Sequence, residues 1–170
     1  MRRIVIVGCS GGGKSTLARA LGERLGLPVV HLDVLFWRPG WVESEREAFG
    51  DRVRVALEAE AWICDGNYTS IAEVSLSRAD TIVWVDQARL LCLRRALWRV
   101  LRYRRGARPD MAVGCAEHFD PVFLRYIWTW DRLARPRMTA AIEAHGAGAR
   151  LIRLASDAQI AAFLASASSR

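Results

Sequence analysis

The sequence predicts an α/β protein: a parallel sheet covered by helices on both faces. Three observations carry that expectation. Short β-branched runs recur with helical patterns between them, three of these runs end in aspartate, and a glycine-rich segment, GCSGGGKST at 8–16, joins the first run to the first helix. A chain of 170 residues buries roughly 70% of its unfolded surface, enough for a single domain over 1–170.

The strands are expected at RIVIV (3–7), PVVHLD (28–33), AWICD (61–65) and DTIVWVD (80–86), with ARLIRLAS (149–156) as a fifth. Helices are expected at 14–25, 44–60, 88–104, about 121–145 and 157–167. Ser44 and Glu47 have the spacing of a capping box at the start of the second. The stretch 106–121 contains proline and glycines with no clear period and reads as a loop, ordered or mobile. Ligands of open parallel sheets bind beyond the carboxyl ends of the strands, so Asp33, Asp65 and Asp86 are expected along the same edge as the glycine loop.

Composition narrows the setting. No apolar run approaches the length of about 20 that spans a bilayer, and MRRIVIVG is too short for a signal peptide. A soluble cytoplasmic protein without a membrane partner is expected; oligomeric state is not legible. The four cysteines, Cys9, Cys64, Cys92 and Cys115, are far apart and form no C-x-x-C pair, which favours buried reduced thiols over disulfides or zinc. The formal net charge of +7 attracts phosphates of any kind.

Of the 25 basic residues every one but Lys14 is arginine, so that lysine needs a local reason. It sits in G-x-x-x-x-G-K-S, from Gly8 through Gly13 to Lys14 and Ser15, after a strand and before a helix: the P-loop in its required context. Small residues here, Gly8, Ser10, Gly11, Gly12 and Gly13, let successive backbone N–H groups turn toward a phosphate, and the helix start at Lys14, Ser15 and Thr16 adds its dipole. A compact ammonium fits between the β- and γ-phosphates of ATP where a planar guanidinium does not. Ser15 supplies a hydroxyl for Mg2+, and Asp65 a second-shell or direct metal carboxylate.

The P-loop followed by HLDVLFWRPGW, WICDGNY and an arginine-rich helix leading into RPDMAVGCAEHFD resembles the bacterial DNA topology modulation protein family, within the adenylate-kinase-like P-loop proteins. The resemblance runs to about residue 136. It implies the three-layer nucleoside-monophosphate-kinase fold, a five-stranded parallel sheet in the order 2-3-1-4-5, with a movable lid at about 106–121. In similar small-molecule kinases an aspartate placed like Asp33 orients and deprotonates the acceptor hydroxyl; a helix cap or salt-bridged turn is the plainer reading. DGNY resembles the turn at which related kinases bind the acceptor, making Asn67 and Tyr68 candidate contacts, with a simple turn residue as the alternative at Asn67.

Eight arginines lie between Arg89 and Arg108. On a helix Arg95, Arg99 and Arg102 form one stripe, and Leu90, Leu93, Leu97 and Leu101 another. Arg95, Arg99 and Arg108 are the candidates for stabilising transferred phosphate; a nucleic-acid backbone or bulk water would also suit the stripe. Of seven tryptophans, Trp62 and Trp84 read as core, while Trp37 and Trp41 flank RPG after Asp33, where a planar or apolar acceptor could stack under Trp128 and Trp130; core packing is the alternative. Ser156 reads either as part of an adenine pocket or as a helix N-cap. The expected activity is transfer of the γ-phosphate of MgATP to a small acceptor, a nucleotide or small hydroxy compound. An ATP-regulated DNA-binding protein and a nucleotide switch with little turnover are the alternatives.

Overall fold

A computed structural model describes residues 1–103 and 110–167. Five strands, β1 (Arg3–Gly8), β2 (Val29–His31), β5 (Trp62–Asp65), β6 (Thr81–Val85) and β7 (Arg150–Leu154), form one sheet; β3 (Trp37–Arg38) and β4 (Val42–Glu43) form a separate antiparallel hairpin. All pairings in the large sheet are parallel, in the order β2-β5-β1-β6-β7. Without the hairpin this is second, third, first, fourth, fifth along the chain, as the resemblance implies.

The period of two decides which side each residue serves. Along β1, Ile4 and Ile6 join a core with Leu17 and Leu21 of α1 (Lys14–Leu25) and Ile160, Phe163 and Leu164 of α7 (Asp157–Ser166). Val5 and Val7 face the opposite core, with Phe49 and Val53 of α3 (Arg46–Ala56), Leu76 of α4 (Ala72–Leu76) and Met138 and Ile142 of α6 (Pro121–His145). A third cluster seats Cys92 and Ala96 of α5 (Arg89–Arg102) on Ile127 and Trp130 of α6 and reaches Cys9 of the glycine loop.

Several local expectations change. β2 ends at His31, and Asp33 lies in the first turn of a short helix, α2 (Leu32–Phe36), not at a strand tip. The expected 44–60 helix is α3, 46–56. Its N-cap is Glu45 without a side-chain bond, and the Ser44 hydroxyl is buried with no partner, so no capping box forms. On α5 the buried residues are Cys92 and Ala96; Leu90, Leu97 and Leu101 are exposed, and only Leu93 of that stripe packs inward. Trp62 and Trp84 are core, and all four cysteines are buried free thiols, as expected. Among the described residues no helix is long and apolar enough to cross a membrane.

Candidate active site

A cavity of about 890 Å3 opens above the carboxyl ends of β1 and β5. Its floor is the loop from Ser10 to Thr16. Glycine is required here by sterics: a Cβ on Gly11 would stand 2.3 Å from the Cys92 carbonyl oxygen, and one on Gly8 2.1 Å from that of Val85. Gly8 is therefore not part of the cavity wall; it lets the loop spring from β1 tight against β6. Gly13, at φ 101, caps α1 without a side chain that could occupy the first-turn N–H groups, and that turn carries no acidic residue. The helix start thus presents N–H donors and a positive dipole end to the cavity. Lys14 Nζ donates to the Cys9 carbonyl at 3.2 Å, which holds the ammonium over the loop.

Asp65 sits opposite Ile6 in one register and His31 in the other. It is 5% exposed; Oδ2 is 3.0 Å from His31 Nδ1, while Oδ1 is buried without a protein partner. Asp65 and Ser15 line the same cavity. An orphaned carboxylate oxygen and a hydroxyl beside a phosphate-binding loop are hard oxygen donors of the kind magnesium takes, sharing it with nucleotide phosphates. These oxygens suit a cation shared with phosphate; among the described residues no group of three or more His, Cys, Asp or Glu side chains could hold a metal by itself.

Asp33 also lines the cavity, and its Oδ1 accepts a 2.6 Å hydrogen bond from the Tyr68 hydroxyl. Burial and the Asp33 carboxylate raise the Tyr68 pKa, so the phenol stays a donor. Asn67 is engaged differently from expectation: its Oδ1 accepts from the Gly8 N–H at 3.0 Å and its Nδ2 donates to the Gly8 carbonyl at 2.5 Å. It clamps β1 to the β5 loop while lining the cavity.

The arginine stripe turns inward. Arg95, Arg99 and Arg102 all line the cavity. Arg95 Nη2 lies 2.6 Å from Asp157 with Nη1 3.4 Å from the Gly12 carbonyl; Arg99 pairs with buried Glu117 at 3.0 Å and lies over Phe123. Arg108 lies outside the described residues, as do 106–109 of the expected lid. Residues 110–120 fold inward: Asp110 pairs with Arg19 of α1, and the Gly114 carbonyl accepts from the Gly40 N–H of the hairpin. Trp37 and Trp41 line the wall, edge to face at 5.3 Å, with Trp41 donating its indole N–H to the Ala116 carbonyl.

Other expectations fall away from the cavity. Asp86 binds Arg135 and Arg153 instead. Ser156 accepts from the Gln159 N–H as the N-cap of α7; it is Asp157, Ile160 and Leu164 of that helix that reach the cavity. Trp128 is half exposed beneath Arg89, and Trp130 is buried in the α5–α6 core; neither covers the acceptor side. That cover comes from His118, which lies in RPDMAVGCAEHFD but carried no expected role, and from Phe123 and Tyr126, which no sequence motif marks. Only the three-residue spacing of Phe123 and Tyr126 on α6 hints that they share a face.

This sheet order, with the loop at its centre and helices on both faces, is the fold of the P-loop kinases. The structure is similar to a shikimate kinase from Acinetobacter baumannii in complex with shikimate (17% identity, TM-score 0.56, 97% of this chain and 89% of that one). It is also similar to a shikimate kinase from Bacteroides thetaiotaomicron (20% identity, TM-score 0.56, 96% and 94%). No family model and no curated protein matches the sequence, so the likeness shows the fold alone and does not extend to the topology modulation family.

Proposed function

We propose that the chain is an adenylate-kinase-like phosphotransferase that binds MgATP on Ser10–Thr16 and transfers the γ-phosphoryl group to a hydroxyl of a small acceptor beside Asp33. The observation that carries this reading is that the loop and the Tyr68–Asp33 pair open into one cavity. Ser15 and Asp65 would hold magnesium, which when bound neutralises phosphate charge. Asp33, oriented by Tyr68, takes the proton of the acceptor hydroxyl as its oxygen bonds to the γ-phosphorus; the bond from that phosphorus to the bridging oxygen breaks and ADP leaves. Lys14 neutralises charge on the β- and γ-phosphates. Arg95 and Arg99 do so from the α5 wall, exchanging their carboxylate partners for phosphate oxygens, and Arg108 is proposed to join them.

In this reading 1–170 is one domain, 106–121 is its lid and its setting is the cytoplasm. The inward turn of the arginine stripe supports small phosphates over a nucleic-acid backbone as its partner. The motif resemblance to the topology modulation family fits the same reading if those proteins act as small kinases. The test is ADP release from MgATP across nucleosides, nucleotides, sugars, hydroxy acids and other small alcohols. Stimulation well above the acceptor-free rate by one class is expected. Uniform background hydrolysis, together with submicromolar duplex DNA binding at about 0.15 M salt, overturns the proposal.

A further inference from the structure

The acceptor side of the cavity is rich in aromatic rings: Trp37, Trp41, Tyr68, Phe123 and Tyr126 all line it. The indole N–H of Trp41 donates to the Ala116 carbonyl at 2.9 Å. Trp37 stands edge to face against Trp41, and the Tyr68 hydroxyl donates to Asp33. Tyr126 lines the same cavity as Asn67, whose amide is held at both ends by Gly8. Nearby Arg99 is paired with Glu117. With the Trp41 N–H engaged, what Trp41 and its edge-to-face neighbour Trp37 offer a ligand is chiefly ring carbon. A flat ring entering beside Trp37 and Trp41 would lose little hydration and gain offset or edge-to-face contacts.

The backbone points the same way. Trp41 has φ 62, the one positive φ outside glycine among the described residues. For a bulky side chain this is a genuine outlier, and such strain concentrates at ligand clamps. It follows Gly40 at φ 79 in the turn between β3 and β4, where glycine or asparagine would meet the turn's demands without strain. The turn sets Trp41 edge to face against Trp37 on one side and His118 on the other. Asp33 lies in α2 and Trp37 is its C-cap, the Trp37 N–H bonding to the Asp33 carbonyl, and both line the cavity, so a ring beside Trp37 lies near the carboxylate.

We propose that the acceptor is a hydroxyl-bearing planar ring, aromatic or heteroaromatic, seated against Trp37 and Trp41 with its hydroxyl toward Asp33. This deepens the phosphotransferase reading and rests on it. It also separates this chain from shikimate, a puckered carboxylate bearing several hydroxyls.

ADP release is measured with benzyl alcohol and hydroxymethyl pyridines as planar acceptors, and with shikimate and hexoses as non-planar ones. Stimulation confined to planar acceptors is expected. In Trp37→Leu, which keeps apolar bulk, and Trp41→Gly, which suits the left-handed backbone, the KM for that acceptor should rise about tenfold or more while the KM for ATP holds within a factor of about two. Melting temperatures are taken for both, because Trp41 also ties the hairpin to 110–120. A best acceptor that is non-planar overturns the inference alone, as does Trp37→Leu with an unchanged acceptor KM or Trp41→Gly with only a lowered melting temperature. No stimulation by any class overturns the phosphotransferase reading and this inference with it.

Discussion

The two ends of the cavity are built by different means. At the end proposed for the nucleotide the contact surface is backbone: Gly11 admitted where a Cβ would strike the Cys92 carbonyl, and a helix start whose N–H groups have no side-chain cap. At the acceptor end it is side chain, brought from α2, the β3–β4 hairpin, residues 110–120 and α6. Backbone recognition suits a ligand part that never varies, a polyphosphate. Side-chain walls can be exchanged one residue at a time, and such a wall is where kinases of one fold come to differ in acceptor.

Removing the charge at the nucleotide end gives the largest effect. Lys14→Ala should lower turnover by about 10²- to 10³-fold, as loss of one preorganised transition-state donor does, and weaken MgATP binding in calorimetry, with an unchanged circular dichroism spectrum. Near-normal affinity in a folded variant would mean that the loop is not the nucleotide site. Asp33→Asn sharpens the contrast by acting at the other end only. Turnover with the true acceptor should fall by about 10²-fold, while ATP affinity stays within a few-fold. If MgATP binding is abolished instead, the two ends are not separable and Asp33 belongs with the metal ligands.

Two smaller effects lie off the cavity and serve as its controls. Asp86 follows β6 on the same sheet edge, yet its carboxylate is held by Arg135 and Arg153. Burial works against its ionisation, but the two guanidiniums outweigh that and hold its pKa below the ordinary 3.8. A depressed folded-state pKa means the stabilisation is complete above the unfolded value and lost as pH falls through the folded one. Asp86→Asn should therefore lose about 1 to 3 kcal/mol near pH 7 in denaturant titrations, and the difference from the parent should shrink below about pH 4, with ATP affinity unchanged. The smallest effect is expected for Ser156→Ala, about 1 kcal/mol of stability from the lost α7 cap. A drop in ATP affinity without that loss would put Ser156 back in the adenine pocket.

How much of this was legible follows from how far each signal reaches along the chain. The spacing from Gly8 to Ser15 lies within one turn and one helix start, so strand, loop and helix appear in the sequence nearly where the structure has them. The limits of α6, 121–145, were equally plain, with Asp120 capping and Pro121 opening the helix. Asp33 was recognised in the right neighbourhood but in the wrong element. β2 stops after three residues because α2 begins at Leu32, whose burial anchors it to the core, and no local pattern marks that change. The leucines of α5 misled for a related reason: their period is helical, yet the face that packs on α6 is the small one, Cys92 and Ala96, which brings α5 close to the loop at Gly11.

The sequence by itself determined the sheet, its central loop and the chemistry of that loop, because period, steric size and spacing act between residues near one another in the chain. Only the tertiary structure decided which of many arginines line the cavity and which aspartate is left with an orphaned oxygen. It also decided that Asn67 clamps Gly8, and that His118, Phe123 and Tyr126 join Trp37 and Trp41 in one wall. Those choices depend on which elements pack together, and contacts spanning up to 59 residues between Gly8 and Asn67, or 75 between Trp41 and Ala116, leave no periodic trace in the chain that makes them.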